Sequence, residues 1–65
     1  MKKVKSESYH SSIYHNILKL KGYYLDKRLS GKNNFVYCHK TDDTKLATAR
    51  FIGYKKILIE YLEED

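Results

Sequence analysis

The stretch that decides the fold is the last one, Tyr54 to Asp65, YKKILIEYLEED. Tyr54, Ile57, Leu58, Tyr61 and Leu62 recur at i, i+3, i+4, i+7 and i+8, the stripe of an amphipathic helix. Its glutamates are also good helix formers. Two features oppose a helix. Ile59 would leave the stripe, and acids at a helix C-terminus oppose the macrodipole by ~0.3–1 kcal/mol each. Read as a strand, the same residues set Ile57, Ile59 and Tyr61 on one face. Only the helix accounts for Tyr54 and Leu62, so the sequence predicts a helix here, with a fourth strand as the alternative.

Upstream, the apolar period is two. Lys45 to Ile52 sets Ala47, Ala49 and Phe51 against Leu46, Thr48, Arg50 and Ile52, and Gly53 closes it. The small alanines would let a helix pack close to their face. Thr41-Asp42-Asp43-Thr44 is a turn. Phe35 to Lys40 puts Phe35, Tyr37 and His39 on one face, and Val36, Cys38 and Lys40 on the other. Ser30 to Asn34 is a second turn, preceded by a strand with Tyr23, Leu25 and Leu29 opposite Tyr24, Asp26 and Arg28. Further back, Tyr9, Ile13, Ile17 and Leu20 lie on one helical stripe, widened by Tyr14 and Leu18. His15, Asn16 and Lys19 fall on the opposite side. Gly22 stops this helix, and Ser6 or Ser8 caps it. Met1 to Glu7 has no apolar period. The expected organisation is a flexible basic arm at residues 1–8, then a single α+β domain at 9–65. Its order is helix, three-stranded antiparallel sheet, helix.

Composition bounds what such a chain can do. At 65 residues there is room for one core. The single cysteine permits no intramolecular disulfide, and no apolar run approaches the ~20 residues of a membrane span. A cytoplasmic, non-membrane protein is expected. Net charge is +5, but four of the eight acids lie in the last six residues. Residues 1–59 therefore carry all thirteen Lys and Arg against four acids, a balance of +9. A body this basic attracts polyanions, because each cation set against a phosphate releases counterions. Solubility is the competing use of surface lysines. The acidic tail is either a solvated end or a segment folded back on the basic face.

In element order and basicity, residues 9–64 look like two families of small RNA-associated domains: the double-stranded-RNA-binding domain and the HicA-like toxin RNases. In HicA-like proteins a first helix runs into a glycine-ended turn and strand, as Ile13 to Leu25 does here. A Gly-Ser-His element then opens the second strand with the catalytic histidine. The matching stretch here is Gly31-Lys32-Asn33-Asn34-Phe35, with asparagine where that histidine would stand. Asparagine exchanges no proton near neutral pH, so ribonuclease activity is not expected unless His39 substitutes from further along the strand. Resemblance to the RNA-binding domain implies phosphate contacts from Lys55 and Lys56 at the start of a last helix. That family's alanine-rich continuation is missing.

Other chemistry finds little support. Cys38 and His39 are adjacent on a strand, so they face opposite sides and cannot form a nucleophile–base pair or share a metal. Cys38 reads as a small buried hydrophobe. His10 and His15 lie about 140° apart round a helix. Zinc spacings and glycine-rich phosphate loops are absent from the sequence. Asp42 and Asp43 are turn formers. No catalytic residue, cofactor or metal is expected.

Binding is the better-supported class. Lys2, Lys3 and Lys5 on the arm, Lys27, Arg28 and Lys32 around the first turn, and Lys55 and Lys56 are placed to track a sugar-phosphate backbone. Asn33 and Asn34 are placed to reach a base edge or a 2′-hydroxyl. Tyr23, Tyr24 and Tyr37 are stacking surfaces if a sheet face is open, and core residues if helices cover both faces. The expected function is nucleic-acid binding, RNA over DNA. The alternative is a protein-binding regulator or inhibitor of the phage or mobile-element kind, acting through a sheet edge or a Tyr-rich surface. Either is compatible with a homodimer, since so small a core gains from a shared interface.

Overall fold

The structure, a computed structural model, describes residues 2–64. Six elements follow in order: β1 (Lys2–His10), α1 (Tyr14–Leu20), β2 (Tyr23–Leu25), β3 (Asn34–His39), β4 (Lys45–Gly53) and β5 (Lys56–Glu63). The strands make one sheet in the order β1-β5-β4-β3-β2. Every neighbouring pair is antiparallel. β2 to β5 form a meander, while β1 lies at the far edge beside the last strand. α1 carries the chain from one edge of the sheet to the other.

This corrects the expected helix–three strands–helix architecture at both ends of the chain. The last segment is β5, a strand. Ile57, Ile59 and Tyr61 are buried, and Leu58, Glu60 and Leu62 are half-buried on the other side. The helical stripe would have buried Tyr54, which instead stands 89% exposed in the turn before β5. β5 pairs along both of its sides, with β4 and with β1. Both rows of its backbone N–H and C=O groups are thereby satisfied, something twelve residues of local periodicity cannot reveal.

At the other end, the lysine-rich segment expected to be an arm is edge strand over Lys2–Ser8, and the expected helix start at Tyr9 is part of the same strand. α1 is only seven residues long, and its N-cap, Ile13, makes no side-chain cap. Its buried stripe is Tyr14, Ile17 and Leu18, rotated from the expected one. Leu18 is fully buried, whereas Ile13 and Leu20 are exposed. Gly22 does end the helical run, at φ +92°, where a side chain would strain the backbone. A Cβ there would also meet the His39 ring at 3.0 Å.

The core lies between α1 and one face of the sheet. Leu18 packs among Tyr23, Tyr37, Ala47, Ala49, Ile57, Ile59 and Tyr61. The two alanines sit mid-sheet and leave room for the helix. Fully burying Leu18, Ile57 or Ile59 contributes ~1.5–3 kcal/mol each. With one helix instead of two, the opposite face is uncovered among the described residues. It presents Tyr24, Val36, Cys38, Leu46, Leu58 and Leu62, all half-buried or exposed. No helix among the described residues is long and apolar enough to cross a membrane.

Candidate nucleic-acid interface

Strand register sorts the charged side chains into two ends. Asn34 sits opposite Arg50, and Lys56 opposite both Gly53 and His10, so the β2–β3 loop and the β4–β5 turn project from the same end of the sheet. The two hairpins are two strand spacings apart, ~10 Å centre to centre. This end carries Lys27, Arg28 and Lys32 in the loop, Asn33 and Asn34 leading into β3, and Lys55 and Lys56 at the turn, all exposed. Among the described residues none of these five cations makes an ion pair.

One acid is present here, Asp26, and its carboxylate is already engaged. Oδ1 accepts from the backbone N–H of Arg28 at 3.0 Å and of Leu29 at 3.4 Å, and Oδ2 accepts from the Cys38 thiol at 3.6 Å. This Asx-type turn also explains why β2 stops at Leu25 although the alternating pattern runs on to Leu29. Ser30 braces the same loop: its hydroxyl donates to Asp26 O at 2.7 Å and accepts from Val36 N–H at 2.9 Å. A further 2.7 Å bond, from Gly31 N–H to Asn34 O, closes the loop. The cations of this loop therefore stand on an ordered frame.

The β4–β5 turn is built differently. Lys55 adopts φ +56°, the left-handed region that favours glycine, at a typical cost of ~1–2 kcal/mol for an L-residue. Its Nζ lies 5.1 Å from the centre of the Tyr54 ring, and its carbonyl accepts from Ser11 N–H at 2.9 Å. Ser8, Tyr9, His10, Tyr54, Lys55 and Lys56 line a shallow groove of about 340 Å³ beside it. The turn thus offers an exposed aromatic ring next to two unpaired ammonium groups. Lys55 and Lys56 do not stand at a helix N-terminus, as the sequence had suggested, because no helix follows them.

From the middle of the sheet to the opposite end, several lysines are answered by acids. Lys21 Nζ donates to Glu7 at 2.9 Å and to the Tyr61 hydroxyl at 3.2 Å, and lies 4.7 Å over the Tyr61 ring. That hydrogen bond holds Glu7 down from 4.5 to about 2, and its counterpart pushes Lys21 up. Lys5 also reaches Glu7, at 3.4 Å, and Lys45 reaches Glu63 at 3.8 Å. On the uncovered face, Glu60 sits between Lys3 at 3.6 Å and Arg50 at 3.7 Å. A cleft of about 250 Å³ lies among Lys5, Lys21, His39, Lys45, Tyr61 and Glu63, and each of its three lysines is within 4 Å of a carboxylate, Glu7 or Glu63.

Of the ten residues singled out in the sequence, the structure gathers seven on one end: Lys27, Arg28, Lys32, Asn33, Asn34, Lys55 and Lys56. Lys2 and Lys3 lie at the other end of β1 and Lys5 beside its middle, and Lys3 and Lys5 are engaged by Glu60 and Glu7. Tyr23 and Tyr37 are buried core, while Tyr24 is half exposed on the uncovered face. Sequence reasoning missed Tyr54. Its position between Gly53 and a Lys-Lys pair marks a turn once the helical reading is dropped. Cys38 is half-buried, and burial with Asp26 beside it raises its thiol, which suits a structural role rather than a nucleophile. His39 lies edge-on to Tyr23, ring centres 5.0 Å apart, away from Cys38. Comparison of the chain with protein-family models, curated proteins and solved structures finds no match.

Proposed function

We propose that this chain binds nucleic acid, RNA in preference to DNA, through the end of the sheet formed by the β2–β3 loop and the β4–β5 turn. The supporting observation is the segregation of charge: among the described residues five cations at that end make no ion pair, and the one carboxylate near them, Asp26, is committed to a turn. Phosphates would replace counterions at Lys27, Arg28, Lys32, Lys55 and Lys56. Asn33 and Asn34 supply donors and acceptors for a base edge or a 2′-hydroxyl, and exposed Tyr54 supplies a ring on which an unpaired base stacks. The binding is read as electrostatic, without sequence readout, in a reducing cytoplasmic setting.

Fluorescence anisotropy with labelled single- and double-stranded RNA and DNA, across a salt series, tests this reading. Five phosphate contacts predict a log K against log salt slope of about −3.5 on single strands. Neutralising the rim lysines should flatten that slope, while neutralising Lys5 and Lys45 should not. No binding at low salt, or a slope indifferent to the rim, would refute it. The second reading, a protein-binding regulator, draws on the uncovered sheet face; it predicts a complex that survives high salt.

A further inference from the structure

We propose that β1 is a homodimerisation edge, pairing antiparallel with β1 of a second copy about a two-fold axis through Ser6, so that Lys5 of each copy faces Glu7 of the other. β1 stands at the edge of the sheet, bonded to β5 on one side only, so among the described residues its outer N–H and C=O groups have no strand beside them. Unpaired edges of this length are templates for another strand. β2, the opposite edge, is three residues long and offers much less.

The side chains select the partner and the register. A two-fold axis perpendicular to the sheet keeps each residue on its own face, so the axis must pass through a residue or its mirror position on the same face. Centred on Lys5 it sets lysine against lysine, and centred on Glu7 it sets glutamate against glutamate. Both juxtapositions are unfavourable. Centred on Ser6, the two hydroxyls meet at the axis and two Lys5–Glu7 pairs flank it on the helix-covered face. Lys5 and Glu7 already lie 3.4 Å apart within one strand and Lys21 bonds the same carboxylate at 2.9 Å, so each Glu7 would meet a third ammonium group, Lys5 of the other copy. Ser6 is also the middle residue of Lys2–His10, so this pairing is centred on the strand. The bulge between Lys3 and Lys5 turns Lys3 to the uncovered face, alongside the partner's Ser8 side. The lysines that guard this edge against other chains thus admit one arrangement of its own copy.

Site-directed cross-linking reads the register directly. In a Cys38→Ser background, Ser6→Cys brings two thiols together at the axis with Cα atoms ~4.5–5.5 Å apart, within disulfide range. Ser8→Cys leaves them ~13 Å apart, four residues of strand. Mild oxidation should convert S6C to covalent dimer at least tenfold faster than S8C, with unchanged far-ultraviolet circular dichroism in both. Sedimentation equilibrium of the natural chain should show a concentration-dependent dimer that Lys5→Glu weakens by at least about tenfold. Equal cross-linking of the two variants, faster cross-linking of S8C, or a strictly monomeric natural chain would each overturn the proposal. Capture of a different protein on β1 with no self-association would overturn it too.

Discussion

The two ends of the sheet are made from the same lysine-rich chain, yet they are electrostatically unlike. At the end where β1 begins and β5 finishes, Glu63 stands within 4 Å of Lys45, and along the same face Glu7, from the second half of β1, stands within 4 Å of Lys5 and Lys21. At the loop end, among the described residues, five cations have Asp26 as their one acidic neighbour, and Asp26 is occupied by backbone N–H groups. What separates them is register. β5 runs away from the loop end, so the acids that close the chain are delivered to the far side. The consequence is an ion-paired end that serves the fold and an unpaired end free to meet an anion.

Leu18→Ala should produce the largest effect, ~2–5 kcal/mol of lost stability, because it empties the contact between α1 and the sheet. Chemical denaturation measures it. The loss should loosen Lys21 from Glu7 at the paired end while leaving nucleic-acid binding intact where the chain stays folded, since the rim rests on two hairpins. If binding fell in step with helix packing, the two ends would not be independent.

Next in size is neutralisation of the loop. The triple change Lys27→Gln, Arg28→Gln, Lys32→Gln should make the salt slope shallower by about two to three and weaken binding by ~10²–10³ at 0.1 M salt. Circular dichroism and melting should be almost unchanged, because none of the three makes an ion pair among the described residues. The mirror experiment, Lys5→Gln with Lys45→Gln, should leave the slope alone.

The paired end should reveal itself through acid. Folding favours the ionised form of Glu7, whose value drops from 4.5 to about 2. Its contribution is complete above about pH 4.5 and drains away as pH falls toward 2. Between about pH 5 and about pH 3 the natural chain should lose roughly 1 kcal/mol through this group, a modest figure because the pair is partly solvated. Glu7→Gln should be less stable at neutral pH and flatter over that interval in urea titrations.

Smallest is Lys55→Gly. Relief of the left-handed backbone should stabilise the chain by about 1 kcal/mol, while removal of one ammonium should reduce the salt slope by less than one. A gain in melting temperature joined to a loss in binding would identify Lys55 as a residue kept for its charge at the expense of its turn.

Much of the candidate interface was legible. The clustering of Lys27, Arg28 and Lys32 around a Gly-Asn-Asn turn is local, and Asp26, Ser30 and Gly31 hold that turn through bonds to nearby residues. Lys55 and Lys56 were legible as neighbours but not in their setting, because the setting depended on whether β5 was a helix. Lys2, Lys3 and Lys5 misled for a related reason. Nothing in MKKVKSE signals a strand, since its only apolar residues are Met1 and Val4, and its pairing partner lies more than fifty residues away. Tyr37 shows the same limit: its ring is core because α1 crosses that face, and its hydroxyl bonds to His15 Nδ1 at 2.8 Å.

By itself the sequence determined the strands β3 and β4, the turns that flank them, the end of the helix at Gly22 and the strong excess of positive charge. Those features rest on alternation, on turn chemistry and on composition, all of which act over a few residues. Only the tertiary structure decided that both terminal segments are strands, that one sheet face is bare, and that charge is neutralised at one end and not the other. A strand is stabilised by partners from elsewhere in the chain, and an ion pair by whatever register sets beside it. Neither has a period that a single segment can display.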